Sequence, residues 1–490
     1  MGFAGLAALM PPVRAAGAAA GAVSDVIVIG AGCAGLAAAI EARVAGANVL
    51  VLEKMRMVGG NSLLACEAIL SAESPANARS EAERKEILRD HESMLNQIVE
   101  NCRTSERALD ELLVVHSQET LDWLKSLGCE FPRRELRWGF RHVWENRPAR
   151  GVPIGVEIMR HLLHRTEDLG IPVLTRTRAT KLTPQPDAGE MIVTVMDEEG
   201  RTTDRRAKTV ILATGGYAGS LDTIRSLWSD APQLLTTNSI SATGDGLLLA
   251  KDAGAAFADL DAVSMQPTTE PYTGAIVPTE VRMQGAVLVN AEGRRFVNEL
   301  EFPDVVSRAI LAQKGECAWL VADHSVAEVR HLTEGDLQTP AGFIPMGGIR
   351  SVADSIGAGF GALAETLDAC RRGEAESGEL ARPLPAAKFT EAPFYAMKVR
   401  PAFHATPGGV RVSTDAAVLR ESGEPVPGLF AAGEVTGGVW GRGAHDNLGL
   451  SGAIIYGRIA GVNAARIALQ GAGGMSAVNS TESDGTSEAG

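Results

Sequence analysis

Residues 24–54 read SDVIVIGAGCAGLAAAIEARVAGANVLVLEK, and this stretch decides the fold. The continuous apolar run from Val26 to Ile29 is typical of a buried parallel strand, and residues 36–45 are mostly helix formers. The segment ANVLVLEK then has the composition of a second buried strand, ending at Glu53. The order strand, glycine turn, helix, strand predicts a βαβ unit and therefore an α/β fold with a parallel sheet.

The glycines in the first turn of this unit indicate a dinucleotide-binding site. Gly30, Gly32 and Gly35 form the pattern GxGxxG. The first allows a tight turn, the second lets a pyrophosphate approach the backbone, and the third lets the helix pack against the strand. The N-terminus of the helix then stabilises the phosphate charge. Glu53 follows about 20 residues later, where a carboxylate binds a ribose hydroxyl and disfavours a 2′-phosphate.

Later glycine-rich segments favour FAD over NAD as the dinucleotide. Residues 58–62 read VGGNS, residues 213–216 read ATGG after an apolar run, and residues 428–438 read GLFAAGEVTGG. Glycine costs backbone entropy, so it gathers where the backbone turns sharply or approaches something closely. A simple dehydrogenase would continue to a third strand after Lys54, whereas VGGNS suggests more backbone threaded along a longer cofactor.

Composition excludes other classes of partner. The chain has 490 residues, enough for two or three domains, and a formal net charge of −14 without a long basic block. This argues against binding to nucleic acid or anionic membranes. None of the six cysteines forms a CxxC pair, so no metal site or haem attachment is expected.

Residues 1–23 are either an N-terminal extension or an export-signal remnant, too short to span a bilayer, so the compartment stays open. Residues 471–490 have the composition of a disordered tail.

Taken together, these segments resemble the motif series of the fumarate-reductase-like FAD-dependent flavoproteins. That family includes urocanate reductase, tricarballylate dehydrogenase and, more distantly, 3-ketosteroid dehydrogenases. The likeness runs from about Ser24 to Leu469 and includes YGRIAG near the end of the chain. It implies an FAD cofactor and a Rossmann-like FAD-binding domain built from two chain segments, residues 24–260 and 405–470. An α+β capping (clamp) domain, residues 261–404, is inserted between them.

The expected cofactor contacts follow these motifs. They are Gly30, Gly32, Ala34, Gly35, Glu53, Lys54, Gly59, Gly60, Asn61, Ser62, Thr214, Gly215, Gly216, Asp245, Gly433, Glu434, Gly449, Leu450 and Ser451. The resemblance implies that the C-terminal glycines line the isoalloxazine ring and that Glu434 binds the ribitol or a flavin edge. A helix expected from about Leu450 would point its positive end at the N1/C2=O side, which stabilises the anionic reduced flavin.

The motifs that hold fumarate in this family are altered. The family reads HPT where this chain has QPT, with Gln266, and HHTMGG where it has HATPGG, with His404 kept. Arg282 is also kept, but the positions of the acid arginine and of the carboxylate-clamping arginine hold Pro303 and Ala444. A dicarboxylate needs planar, bidentate cations, so we do not expect fumarate as the substrate.

These departures leave a small set of candidate residues for the chemistry. The candidates for proton transfer are Arg282, His404 and His445, and those for substrate binding are Gln266, Arg442 and Asn447. We expect a hydride to pass between a substrate carbon and flavin N5, at a C–C bond next to an activating group. With one dinucleotide fold and no haem motif, a separate electron donor or acceptor is needed: a quinone, a redox protein, oxygen or NAD(P)H.

Two alternatives stay open. One is a 3-ketosteroid-type dehydrogenase, whose apolar substrate cleft would be lined by residues such as Phe403 and Trp440. The other is a non-catalytic, FAD-bound protein whose capping domain binds a ligand or partner.

Overall fold

The structure, a computed structural model, describes residues 23–65, 68–136, 140–149, 152–327, 329, 343–374, 380–382, 386–442 and 448–470. Its α-helices in these ranges are α1 (Cys33–Val44), α2 (Glu81–Cys102), α3 (Arg107–Val115), α4 (Ser117–Ser126), α5 (Ile154–Asp168), α6 (Leu221–Leu227), α7 (Asp245–Asp252), α8 (Thr279–Met283), α9 (Pro303–Leu311), α10 (Ile349–Ile356), α11 (Phe360–Arg371) and α12 (Leu448–Gln470). Its strands are β1 (Val23–Ile29), β2 (Val49–Leu52), β3 (Ile69–Ala72), β4 (Arg133–Leu136), β5 (Val143–Arg147), β6 (Val173–Leu174), β7 (Arg178–Gln185), β8 (Glu190–Met196), β9 (Thr202–Leu212), β10 (Phe257–Ala258), β11 (Ser264–Thr269), β12 (Val287–Val289), β13 (Ala318–Asp323), β14 (Ile344–Met346), β15 (Phe394–Ala405), β16 (Gly409–Arg411), β17 (Ala417–Leu419), β18 (Pro425–Ala431) and β19 (Thr436–Gly437).

The largest sheet is built around β1, whose apolar residues are buried on both faces. β1 pairs in parallel with β2 on one side and β9 on the other, and β9 pairs in parallel with β18. The order is β17-β18-β9-β1-β2-β6, and β7 and β8 extend it as antiparallel strands. Strands from both ends of the chain therefore share one sheet. The fold is α/β and Rossmann-like, and it is assembled from two chain segments.

Two glycines let α12 lie directly against α1. A Cβ added at Gly457 would come within 2.4 Å of the Ala34 carbonyl oxygen, and one at Gly461 within 2.3 Å of the Ala38 carbonyl oxygen. This register makes the two helices run in the same direction. Leu448 lies nine positions before Gly457 and Cys33 lies one before Ala34, so at 1.5 Å per residue α12 starts about 12 Å beyond the start of α1. The N-termini of the two helices are thus staggered along the same edge of the sheet.

Between β2 and β6 the chain adds helices and a small sheet. Three helices, α2 to α4, occupy the region whose sequence is helical in character. The antiparallel sheet β3-β5-β4 was not anticipated from the sequence. α5 begins directly against the VGGNS segment, because a Cβ at Gly155 would lie only 1.8 Å from the Ser62 carbonyl oxygen.

The capping domain has its own sheet and its own core. β11, β15, β13 and β12 form this sheet in that order, and β14 pairs with β15. Residues such as Val287, Leu320 and Val399 are fully buried in a cluster distinct from the core under the large sheet. Residues 355–373 have the composition of a single helix, but the structure contains two, α10 and α11, because the backbone turns at Gly357 with φ +73°. The limits 261–404 stay a prediction.

None of the helices in the described ranges combines the length and the apolar composition that a bilayer-spanning segment needs. Within the same ranges no group of three or more histidine, cysteine or acidic residues is arranged to hold a metal ion. The described cysteines are free thiols, and Cys66 lies outside the described residues.

Candidate active site

The glycine turn after β1 is closed by the VGGNS segment. Gly30 has φ +109°, and a Cβ there would lie 2.2 Å from the Ala213 carbonyl oxygen. A Cβ at Gly35 would lie 1.9 Å from the Gly30 carbonyl oxygen, so the helix can start this close to the strand only with glycine. Cys33 donates its backbone N–H to Ser62 Oγ at 3.0 Å. The two segments expected at the pyrophosphate are therefore in direct contact.

VGGNS contacts this turn through its backbone as well. Gly59 donates its N–H to the Ala31 carbonyl oxygen at 3.0 Å. Gly59 and Gly60 have φ values of +110° and +48°, which side chains rarely allow. A Cβ at Gly32 would lie 3.2 Å from Ser62 Oγ.

Glu53 is held at the end of β2 by backbone donors. Its Oε2 accepts from the Ala31 N–H at 3.0 Å and its Oε1 from the Met55 N–H at 2.8 Å. Burial raises the pKa of Glu53, and these hydrogen bonds offset part of that effect. A carboxylate has about four acceptor sites, so this side chain can still accept from a ribose hydroxyl.

Lys54 and Asp245 form an ion pair, and Arg178, which was not among the residues predicted from the sequence, also pairs with Asp245. Lys54 Nζ lies 3.1 Å from Asp245 Oδ2, and Arg178 binds both oxygens of the same carboxylate at 2.9 Å. Burial alone would raise the pKa of Asp245, but the hydrogen bonds and charges of Arg178 and Lys54 hold it below its usual value. Because Asp245 is the first residue of α7, this ion cluster ties the start of α7 to Lys54 and to Arg178 of β7.

Glu434 connects three distant parts of the chain. Its Oε2 accepts from Asn61 Nδ2 at 3.2 Å, and its Oε1 accepts from the Thr406 N–H at 3.0 Å. A Cβ at Gly216 would lie 2.7 Å from the same carboxylate. Burial raises the pKa of Glu434, and the bonds from Thr406 and Asn61 offset part of the rise.

The same network reaches His404. Asn61 Nδ2 donates to Asn238 Oδ1 at 2.5 Å, and Asn238 Nδ2 donates to the His404 carbonyl oxygen at 2.7 Å. The exposed His404 ring has its Nδ1 2.7 Å from the Thr237 hydroxyl. Sequence reasoning missed Thr237 and Asn238, although the polar run TTNS at 236–239 was a usable signal.

The loops around this network leave room for a ligand. A Cβ added at Gly215, where φ is +73°, would meet no atom of the described residues within 4 Å, and the same holds at Gly449. By contrast, a Cβ at Gly246 would lie 2.1 Å from Thr214 Oγ1, so Thr214 packs against α7. This open space lies beside glycines near the two staggered helix N-termini. It fits a long dinucleotide such as FAD.

The remaining cofactor candidates lie at the helix contact and at the start of α12. Gly433 has φ +81°, and its Cβ position is 3.0 Å from the Ala34 side chain. Ser451 is buried and its Oγ accepts from the Leu70 N–H at 3.1 Å, which ties α12 to β3. Leu450 packs partly buried against the main core.

The substrate and proton candidates are not all together. Arg282 is 2% exposed, and its guanidinium donates to the Glu299 carbonyl oxygen within the capping domain. Arg442 instead pairs with Asp259 at 3.0 Å and with Asp261. His445, Asn447 and Ala444 lie outside the described residues.

Other side chains expected near the substrate are on packed elements. Gln266 is 8% exposed on β11, opposite Ala402 of β15. Phe403 is buried against Trp228 in an edge-on contact with ring centroids 6.3 Å apart. Trp440 is 4% exposed and lies against Gly452 of α12. Neither aromatic residue therefore lines an open apolar cleft in this structure.

Comparison with known proteins gives the family. The model of the FAD binding domain family matches residues 25–446. The probable fumarate reductase Ifc3 of Shewanella frigidimarina is 32% identical over 457 residues, covering 91% of this chain and 75% of the relative. Urocanate reductase of Eggerthella lenta is 30% identical over 465 residues, with coverage of 91% and 75%.

A solved structure agrees with these matches. The open conformation of a flavocytochrome c3 fumarate reductase superimposes with a TM-score of 0.76 at 32% identity, covering 92% of this chain and 79% of that one. The chain therefore belongs to the FAD-binding flavoprotein family of the fumarate reductases and is an FAD-dependent oxidoreductase.

Proposed function

We propose that the protein transfers a hydride between a substrate carbon and N5 of bound FAD, and so dehydrogenates or reduces a C–C bond next to an activating group. The observation that carries the proposal is the network from Glu434 through Asn61 and Asn238 to His404. It joins cofactor-binding segments to the strand that leads out of the capping domain. FAD, when bound, supplies the redox chemistry, while the protein positions the substrate and moves a proton.

His404 is the proposed proton-handling residue. Its ring is exposed and its Nδ1 lies 2.7 Å from the Thr237 hydroxyl, which would orient the imidazole. A positioned side chain of this type contributes to proton transfer at the reacting atom. Arg282 is less suited to this role, because it is buried and its guanidinium donates to the Glu299 carbonyl oxygen within the capping domain.

Fumarate is a poor fit as substrate, although several relatives are fumarate reductases by name. Pro303 and Ala444 stand where the resemblance expects arginines, and Arg442 is paired with Asp259 and Asp261. We further propose a separate electron donor or acceptor, since the described residues contain one dinucleotide-binding unit.

Anaerobic photoreduction of the holoenzyme tests this function. Mixed with a panel of unsaturated acids, enones and redox dyes, the reduced protein should be reoxidised by at least one unsaturated compound as well as by dyes. His404→Gln should slow reoxidation by that compound about a hundredfold, in line with loss of a general acid, and leave the dye reaction unchanged. Reoxidation by neither class would contradict the proposal.

A further inference from the structure

Arg147 lies where the FAD-binding domain meets the capping domain. It ends β5, and the preceding residue, Asn146, donates its side-chain amide to β3. Leu70 of β3 in turn donates to Ser451 near the start of α12. On its other side, Arg147 Nη2 lies 3.6 Å from Oε1 of Glu280 in α8 of the capping domain. Arg147 thus stands between the cofactor-side elements and the cap.

The guanidinium of Arg147 donates one short hydrogen bond, and some of its other N–H groups have no partner among the described residues. Its Nη2 donates to Glu145 Oε2 at 2.8 Å, and the side chain is 15% exposed. Its Nε is buried without a hydrogen-bond partner, and its Nη1 makes no hydrogen bond to any residue in the described ranges. Buried N–H groups in folded proteins are nearly always paired, so an unpaired one calls for a ligand or water as its partner.

Two arginines were candidates from the sequence, Arg282 for proton transfer and Arg442 for substrate binding, and both contact other residues of the protein. Arg282 donates to the Glu299 carbonyl oxygen. Arg442 forms ion pairs with Asp259 and Asp261. Arg147 differs from both in its position, since it ends β5 and lies 3.6 Å from Glu280 of the capping domain.

Three carboxylates of the described residues lie close to Arg147, and one of them, Glu135, also pairs with Arg133 at 3.3 Å. Glu145, Glu280 and Glu135 lie 2.8, 3.6 and 4.0 Å from its nitrogens. Burial alone would lower the pKa of Arg147, but these three glutamates raise it, so the guanidinium stays charged. A carboxylate entering here would be repelled by the glutamates, and like charges repel more strongly where water is excluded. A neutral oxygen accepts a hydrogen bond without that repulsion.

We propose that Arg147 is a substrate-binding residue that donates to a single uncharged oxygen, such as the carbonyl of an α,β-unsaturated ketone or amide, and that the substrate is neutral. This inference rests on the proposed function and names its substrate class. It agrees with Pro303 and Ala444 at the positions where the family resemblance expects arginines.

Crotonamide and crotonate are matched probes, because they share a carbon skeleton and differ in charge. Each is titrated into the oxidised holoenzyme, and binding is followed by the change in flavin absorbance and by thermal shift. We expect crotonamide to bind at least tenfold more tightly than crotonate, and fumarate to produce no change. Equal or tighter binding of either anion, or no response to crotonamide, would overturn the proposal.

Variants test the residue itself. Arg147→Gln should weaken crotonamide binding at least tenfold without loss of FAD, and Arg147→Lys should weaken it less. Arg134→Gln is the matched control, since Arg134 lies on the neighbouring β4 over the Trp144 ring at 3.8 Å. It should leave binding unchanged. Unaltered crotonamide binding in Arg147→Gln would contradict the assignment.

Glu280→Gln gives an independent check if the Arg147 variants fold poorly. Removing one carboxylate should lower the ratio of the crotonate dissociation constant to the crotonamide dissociation constant. An unchanged ratio would contradict the argument from charge. These binding measurements use oxidised enzyme. Failure of reduced enzyme to react with either unsaturated compounds or dyes would defeat the proposed function, whereas an inverted charge preference would defeat only this inference.

Discussion

The side-chain nitrogen of Asn61 lies 3.2 Å from Oε2 of Glu434, although 373 positions separate the two residues. One belongs to the segment that closes the glycine turn after β1, and the other follows the last parallel strand of the main sheet. The contact forms only when both segments of the FAD-binding domain are in place. Cofactor affinity should therefore report directly on the joining of the two segments.

Asn61→Ala should weaken FAD binding. The change removes bonds to Glu434, to Asn238 and to the Ser239 N–H, and it leaves a buried carboxylate short of a donor. Loss of such bonds costs about 1–3 kcal/mol, which corresponds to a dissociation constant about five to 150 times higher. Titration of the apoprotein with FAD, followed by flavin fluorescence quenching, measures this.

Asn77→Ala is the control for that experiment, because Asn77 is exposed and its amide bonds only Glu73, at 3.2 Å. It should bind FAD like the wild type. Wild-type affinity in Asn61→Ala would show that the Asn61–Glu434 contact does not shape the cofactor site.

Gly457→Ala should destabilise the fold and loosen the cofactor. The new Cβ would meet the Ala34 carbonyl oxygen at 2.4 Å, so α12 must move away from α1. Overpacking of this kind costs about 1–3 kcal/mol. Thermal unfolding should show a lower Tm, and FAD should dissociate more readily. Gly361→Ala in α11, where the Cβ would meet no atom within 4 Å, should be neutral or slightly stabilising. Equal Tm values for the two variants would contradict the helix contact.

Asp110→Asn should change how stability depends on pH. Asp110 is fully buried beside the Ser105 hydroxyl, and burial raises its pKa from 3.8 to about 7. Between these values the folded state keeps the proton that the unfolded state has lost, so stability falls as pH rises through this window and levels off above it. The full difference is about 4 kcal/mol at 1.36 kcal/mol per pKa unit.

Tm measured from about pH 4 to about pH 8, which covers the window between the two pKa values, should fall more steeply for the wild type than for Asp110→Asn. Parallel curves would mean that Asp110 does not titrate in this way. Ser126→Ala, on the exposed end of α4, is a suitable control and should run parallel to the wild type.

Thr237→Val should lower turnover without affecting the cofactor. It removes the hydroxyl 2.7 Å from His404 Nδ1 and keeps the shape of the side chain. If this contact orients the imidazole, turnover with the best substrate should drop about tenfold, or about 1.4 kcal/mol in barrier, and its pH profile should shift. FAD content should stay at one per chain. A variant with unchanged turnover and pH profile would remove Thr237 from the account.

The βαβ unit and the later parallel strands could be predicted because local patterns define them, whereas the two-segment FAD-binding domain was implied by the family resemblance. Val26 to Ile29 and Leu429 to Ala431 are continuous apolar runs, and both form buried parallel strands. Glycine is required at position 30 because a Cβ there would lie 2.2 Å from the Ala213 carbonyl oxygen. The GxGxxG pattern already predicts a tight turn at this position.

Contacts between distant side chains could not be predicted in this way. Arg178 beside Asp245, Thr237 beside His404, and Arg147 beside Glu280 all depend on how separate elements pack. The small sheet β3-β5-β4 was missed because β4 is largely exposed and charged, which hides the alternation that marks a strand. The ion pairs of Arg442 with Asp259 and Asp261 could not be predicted either, because they form only when separate segments pack together.

A crystal structure of the FAD-bound protein tests the central claim most directly. We predict the pyrophosphate at the backbone N–H groups of residues 30–35 and the isoalloxazine ring beside the Asn61–Glu434 contact, near the start of α12. A ring bound elsewhere, away from Glu434 and His404, would contradict the account.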